Sequence, residues 1–448
     1  MKKIVGAAVT VVVVGVLYVG VGSIDADPPD VSSFTTTSTV PADEDNAWCG
    51  FVAATNAVKQ WGKPSDWEKL TPDEIDTLVA ENAEAIALFQ NAARRAKWCD
   101  AAARHKGFFD NFFHITDFTI MIKLYKAKAE RQIARGEIAA AVEGAGDLLM
   151  LSRTIQSDAE AILCWLVADG ARGFALSLAA QIVASGKASD EELRALFGTL
   201  LLTDVSTLRK SVQQAINNEF VYVFGDAHRI VRLDVAKALP CEWKQILPTR
   251  FSYHPNSTTA LYVQFAGKAK ELLSSDYDKG AWDSFGSEIE TAKPRLFCRL
   301  TPNHVGWLLL GAVLPAYNSL AERLARDEFG LSAVKVVVAA ELYRRKTGRR
   351  PESLDALVPE FLPSVPVDPF DHGAALKYDA ERGIVWTVGA DGNFNGEKQP
   401  GKNSYGRNRG YVANLDGSKV ELAVGDRGTV CSSFKYPFQL FAVILPRG

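Results

Sequence analysis

Thr71-Pro72-Asp73-Glu74-Ile75-Asp76-Thr77-Leu78-Val79 sets the fold class of this chain. Thr71 is a helix N-cap, Pro72 suits the first helical position, and Glu74 stands where it completes a capping box with Thr71. Ile75, Leu78, Val79, Ile86 and Phe89 then recur at helical spacing and mark one buried stripe. Ser189-Asp190-Glu191-Glu192 repeats the same start signal ahead of Leu193, Leu196 and Phe197. Helical periodicity holds from Asn46 to about Ile230, so the predicted fold class is mainly α.

Two glycines punctuate this region. Ala134-Arg135-Gly136-Glu137-Ile138 and Ala184-Ser185-Gly186-Lys187-Ala188 each read as a tight helical hairpin, because glycine adopts the left-handed conformation that closes a helix. The first looks like a tetratricopeptide turn, but no regular period of about 34 residues accompanies it, which leaves an irregular helical-hairpin domain. Asp234 to about Thr301, with Pro240, Pro248, Pro255 and Pro294, reads as a less regular connection.

The N-terminus has a different character. Lys2 and Lys3 precede an uncharged run from Ile4 to Gly22 that spans roughly 28 Å as a helix, near the ~30 Å of a bilayer core. A transmembrane anchor over 1–22 is favoured over a cleaved signal, with the lysines cytoplasmic and the bulk of the chain extracytoplasmic, at the plasma membrane facing the periplasm. Residues 23–45, rich in Thr, Pro and Asp, read as a disordered linker. The folded part is expected to divide into an α-helical domain over 46–300 and an α+β module over 301–448. The apolar run Val305 to Leu314, closed by Pro315, is too short for a second crossing.

Composition limits function more than it defines it. With Lys+Arg 50 against Asp+Glu 53 and a net charge of -3, no basic excess is present to hold nucleic acid. No nucleophile elbow, phosphate loop, dinucleotide fingerprint or His-Glu-x-x-His sequence occurs. His114 three residues before Asp117 is the best oriented-base candidate, and an ordinary cap pair explains it as well. Cys49, Cys99, Cys164, Cys241, Cys298 and Cys431 lack zinc spacing. Disulfides are permitted outside the membrane, and Trp48-Cys49 could face Trp98-Cys99 on two predicted helices. Lys335, Arg344, Arg345, Lys346, Arg349 and Arg350 form a basic patch that a helix C-terminus explains and that an acidic partner would also suit.

The C-terminal part carries a helix from Leu331 to Lys346, a short helix from Pro351-Glu352-Ser353-Leu354, and strands at Leu376–Asp379 and Ile384–Val388. Asp416-Gly417 is a hairpin turn between 411–413 and 419–421. Ala339-Ala340-Glu341-Leu342-Tyr343, Gly348, Pro351, Leu354, Leu357, Asp368-Pro369-Phe370 and Thr387-Val388-Gly389-Ala390-Asp391-Gly392 together resemble the globular part of the type II secretion major pseudopilin. The whole layout resembles large membrane-anchored envelope proteins of planctomycete-type bacteria, a group that brings no known activity with it. The resemblance implies a small antiparallel sheet and a calcium loop after it. Met1 to Gly22 contains neither the Phe nor the Glu of a prepilin, so a processed pilus subunit is not expected.

Asp391, Asn393 and Asn395, completed by Glu397 or Asp416, have the hard oxygens Ca²⁺ requires; Lys402 at the twelfth position excludes an EF-hand. A local polar turn accounts for the same residues. The expectation is therefore an extracytoplasmic, membrane-anchored protein with a non-catalytic interaction or structural role, a protein partner in the envelope and calcium as its metal. An envelope hydrolase with a site assembled from distant acids and histidines, and a type II secretion accessory component, are the alternatives.

Overall fold

The computed structural model describes residues 13–36, 39–59, 70–101, 114–225, 249–294, 301–390, 392 and 412–414. Helices α1 (Ala47–Asn56), α2 (Pro72–Glu81), α3 (Ala83–Ala93), α4 (His114–Arg135), α5 (Ile138–Asp158), α6 (Ile162–Ala184), α7 (Asp190–Leu201) and α8 (Val205–Asn218) follow one another, and a π-helical turn (Glu219–Phe224) extends α8. After these come α9 (Thr249–Ser252), α10 (Pro255–Ser274), α11 (Lys279–Ala292) and α12 (His304–Thr347). A 3₁₀ turn (Leu354–Leu357) and strands β1 (Lys377–Asp379), β2 (Ile384–Trp386) and β3 (Val412–Asn414) complete the described elements. The protein is mainly helical with a small antiparallel sheet of order β1-β2-β3.

Both capping boxes form. Thr71 Oγ1 accepts from the Glu74 N–H and the Glu74 carboxylate accepts from the Thr71 N–H, and Ser189 and Glu192 do the same. Gly136 and Gly186 take φ of 80° and 65°, so each hairpin closes on the one residue type without a Cβ penalty.

The core is laid down by α5, α6 and α12. Helix α6 buries Trp165, Leu166, Ala168, Ala171, Ala175, Leu178, Ala179 and Ile182. Among the described residues it is the one helix long and apolar enough to cross a membrane, but 67% of its apolar window is buried within the protein. It is the central helix of the bundle. Residues 13–21 are also helical, with exposed side chains; residues 1–12 lie outside the described part, so a transmembrane anchor over 1–22 is not established by the fold.

The structure redraws three boundaries. First, the apolar run at 305–314 and the helix at 331–346 belong to one helix, α12, which continues through position 315. A proline inside a helix costs ~3 kcal/mol. Leu310, Leu314, Tyr317 and Leu320 are 0–1% exposed on the flanking turns, and their burial holds the helix together. The division at 300/301 therefore does not separate two bodies, since α12 packs against α6, α7, α10 and α11 and also carries β2, β3 and the 3₁₀ turn. Second, much of the expected connection at 234–301 is helical: Pro255 is not a breaker but the first residue of α10.

Third, residues 23–36 are not a solvated tether. Asp25 accepts from the N–H groups of Asn256 and Ser257, both at 2.9 Å, and supplies the N-terminal cap that His254 does not provide for α10. Further along, Phe34 is 4% exposed and packs on Phe220 at 4.9 Å. Composition predicts disorder because the segment has few apolar groups, but one aromatic side chain and one cap, each meeting a distant partner, are enough to dock it.

Candidate functional site

Along α8 the buried stripe runs Leu208, Ser211, Val212, Ala215, Ile216, and the next residue at that spacing is Glu219. The π-helical turn begins there. Such turns insert a residue into a helix and recur at functional sites. Here the turn directs Glu219, 7% exposed, into the core with Val223 and Phe224.

Among the described residues the carboxylate meets uncharged hydrogen-bond donors. Glu219 Oε2 accepts from the Ile162 N–H at 3.1 Å, and Oε1 accepts from the Tyr317 hydroxyl at 3.4 Å. Ile162 opens α6, whose Ala161 N-cap offers no side-chain acceptor, so Glu219 caps that helix from another element. The Tyr317 and Tyr262 hydroxyls are 2.9 Å apart. Burial pushes the Glu219 carboxyl up to about 7, against the lowering effect of the Ile162 N–H and the two hydroxyls. Burial also holds both tyrosines protonated far above their ordinary range. Phe34 covers this group, 6.2 Å from the Tyr262 ring, with Lys270 Nζ 4.5 Å above its own ring.

Chemically, the cluster is an acid that gains or loses a proton near neutrality beside two neutral phenols. In the closed fold Tyr262 and Tyr317 are 0% exposed, and the Glu219 oxygens are already engaged in tying α6 to α8 and α12. Sequence reasoning missed this group. Its one local sign is a glutamate at stripe spacing; the tyrosines come from helices far along the chain.

The next acids are also consumed as ties. Glu160 accepts from Trp98 Nε1 at 3.1 Å and from the Asp100 N–H at 2.9 Å. Burial, then the Glu160 and Asp100 carboxylates, push the Cys164 thiol well up, which removes the thiolate a nucleophile needs. Trp48 and Trp98 do meet edge to face at 5.2 Å, but Cys49 and Cys99 form no disulfide, and Trp98-Cys99 lies on an irregular segment rather than a helix. Asn46 holds that segment by donating to the Cys99 carbonyl and accepting from its N–H.

The predicted calcium ligands Asp391, Asn393, Asn395, Glu397 and Asp416 lie outside the described residues, as does the hairpin turn at 416–417. His114 opens α4, with its side chain outside the described part. Among the described residues, no group of three or more His, Cys, Asp or Glu side chains could hold a metal ion. The basic patch is largely neutralised: Glu341 accepts from Arg344 and Arg345, Arg345 also reaches Asp190, Lys346 pairs with Glu360 and Arg349 with Glu352.

Two segments of the C-terminal motif come together. Asp368 accepts from the Phe370 and Val388 N–H groups, both at 2.9 Å, and from the Thr387 hydroxyl, which joins the Asp-Pro-Phe turn to the end of β2. Between α10 and α11 an open groove of about 430 Å³ is lined by Leu261, Phe265 and Ala292 and by the polar side chains of Gln264, Ser284, Ser287, Glu288 and Thr291. No protein-family model matches the chain, and no curated protein or solved structure matches it.

Proposed function

We propose that this protein is a single-pass, membrane-anchored component of the cell envelope whose extracytoplasmic body has a non-catalytic, structural or interaction role. The observation carrying the proposal is the state of residues 13–21. They are helical, and Val13, Val14, Val16, Leu17 and Val21 are 50–68% exposed. A row of aliphatic side chains in water is unfavourable by roughly 25 cal/mol per Å², whereas hydrocarbon accepts it. The sequence continues the same character back to Ile4, behind Lys2 and Lys3.

The structural role is supported by how the buried acids are spent. Glu219, Glu160 and Asp368 each bind backbone N–H groups of a second element and act as pins between elements. The joined Asp-Pro-Phe and Thr-Val-Gly segments support a pseudopilin-like end on the body.

Membrane fractionation tests the anchor. The full chain is expected to stay in the pellet after alkaline carbonate extraction, and a chain starting at Ser23 to move to the supernatant. Release of the full chain by carbonate would overturn the proposal.

A further inference from the structure

The anchor and the body are joined without slack, and this fixes which part of the body the membrane meets. Gly22 follows the 13–21 helix directly, and its carbonyl accepts from His254 Nε2 at 2.9 Å. Tyr18 packs edge to face on Phe251 at 5.7 Å. A Cβ on Gly22 would stand 2.5 Å from the Phe251 ring and 2.8 Å from the Tyr18 carbonyl, so this approach requires glycine. Three residues on, Asp25 caps α10 through Asn256 and Ser257, and Asn256 Nδ2 donates to the Ala26 carbonyl at 2.8 Å. Asn303 continues the joint by donating its N–H to the Phe251 carbonyl and accepting from the His254 N–H.

Length then decides the matter. As a helix, the apolar sequence Ile4–Gly22 would span roughly 28 Å against a hydrocarbon core of ~30 Å, so a crossing would leave no turn to spare. Gly22 must therefore stand at the outer edge of the core, with Tyr18 about 6 Å before it and next to the interface, where a tyrosine is favoured. Whatever they touch lies there as well. Resting on the anchor reading above, we infer that the end of the body bearing Arg250, Phe251 and His254 is seated on the outer bilayer surface, with lipid headgroups as its partner. Arg250 is exposed at that end and offers a cation to lipid phosphate. Helix α12 starts at the same joint, and its 44 residues carry the C-terminal module about 66 Å along the helix axis from it.

Photocrosslinking of the full chain tests the contact, in nanodiscs of phosphatidylethanolamine and phosphatidylglycerol. Benzoylphenylalanine would replace Arg250 in one preparation and Arg349, just beyond the far end of α12, in another. Lipid adducts are expected at 250 and only background at 349. Asp25→Ala, which opens the joint without touching the anchor, is expected to reduce the adduct at 250 several-fold while the chain stays embedded. A chain that embeds but yields no adduct at 250, equal adducts at both positions, or a yield unmoved by Asp25→Ala would each overturn the seated contact and leave the anchor standing. A chain that does not embed overturns both.

Discussion

Helix α12 passes two buried acidic clusters that solve the same problem by different means. Near its middle, Asp327 and Asp169 share Arg172, whose Nη2 reaches Asp327 Oδ2 at 2.7 Å and whose Nη1 donates to Gln156 Oε1 at 2.7 Å. Ten residues earlier, about 15 Å along the helix, Tyr317 serves the Glu219 cluster, whose carboxylate meets no cation among the described residues. Arginine offsets part of the cost of burying negative charge. Hydroxyl and N–H donors only soften its desolvation, so Glu219 keeps a proton up to about pH 7. One cluster meets its buried acids with a cation, the other with uncharged donors.

Removing the cation should have the largest effect. In the Arg172→Leu variant two carboxylates would face each other at the interface of α6 and α12 with Gln156 Oε1 losing its donor, and the expected loss is ~3–5 kcal/mol. Burial and the Asp169 carboxylate already push the Asp327 carboxyl well up in the wild type, with Arg172 opposing them, so protonation is the natural relief. Urea unfolding followed by circular dichroism should therefore show a smaller deficit near pH 5 than near pH 8. A deficit below ~1 kcal/mol at both would mean that Asp327, 18% exposed, turns into solvent, and the contrast between the clusters would collapse.

Glu219 comes next. Its folded-state pKa of about 7 lies above the ordinary 4.5, so the folded chain holds this proton more tightly than the unfolded chain. The stabilisation is complete below about pH 4.5, declines as pH rises from there, and is lost above about pH 7. The shift corresponds to roughly 3 kcal/mol, an upper figure because buried sites relax. Glu219→Gln keeps an acceptor for the Ile162 N–H but has no proton to lose. The stability difference between wild type and variant, measured from about pH 5 to about pH 8, should move in favour of the variant as pH rises. Taking the difference cancels every other titration common to both. A pH-independent difference would show that Glu219 finds a counter-charge in solution.

The two clusters also mark where sequence stops being informative. Helix starts at Thr71 and Ser189 and turns at Gly136 and Gly186 are legible because all their partners lie within four residues. Asp25, Phe34 and Tyr317 are not, since each acts on a residue from about 100 to 230 positions away. Proline misled in both directions for one reason. Its local penalty is real, but Pro255 pays none at the first position of α10, and in α12 the burial of Leu314 and Tyr317 outweighs it. The Glu219 site had half a signature, an acid on an apolar stripe; the donors that make it a site are tertiary.

The smallest effect tests whether burial, rather than pairing as such, sets these magnitudes. Arg349 and Glu352 form an ion pair at 2.7 Å, the same separation as Arg172 to Asp327, but their side chains are 67% and 75% exposed. In water the attraction is screened, and ordering two long side chains offsets what remains, so Arg349→Ala should change stability by no more than ~0.5 kcal/mol. Added salt should leave even that difference nearly unmoved, because the wild-type pair already contributes little. If Arg349→Ala instead approached Arg172→Leu in cost, distance alone would be setting the energy. The distinction between a cation-matched and a hydroxyl-matched core would then carry no energetic meaning.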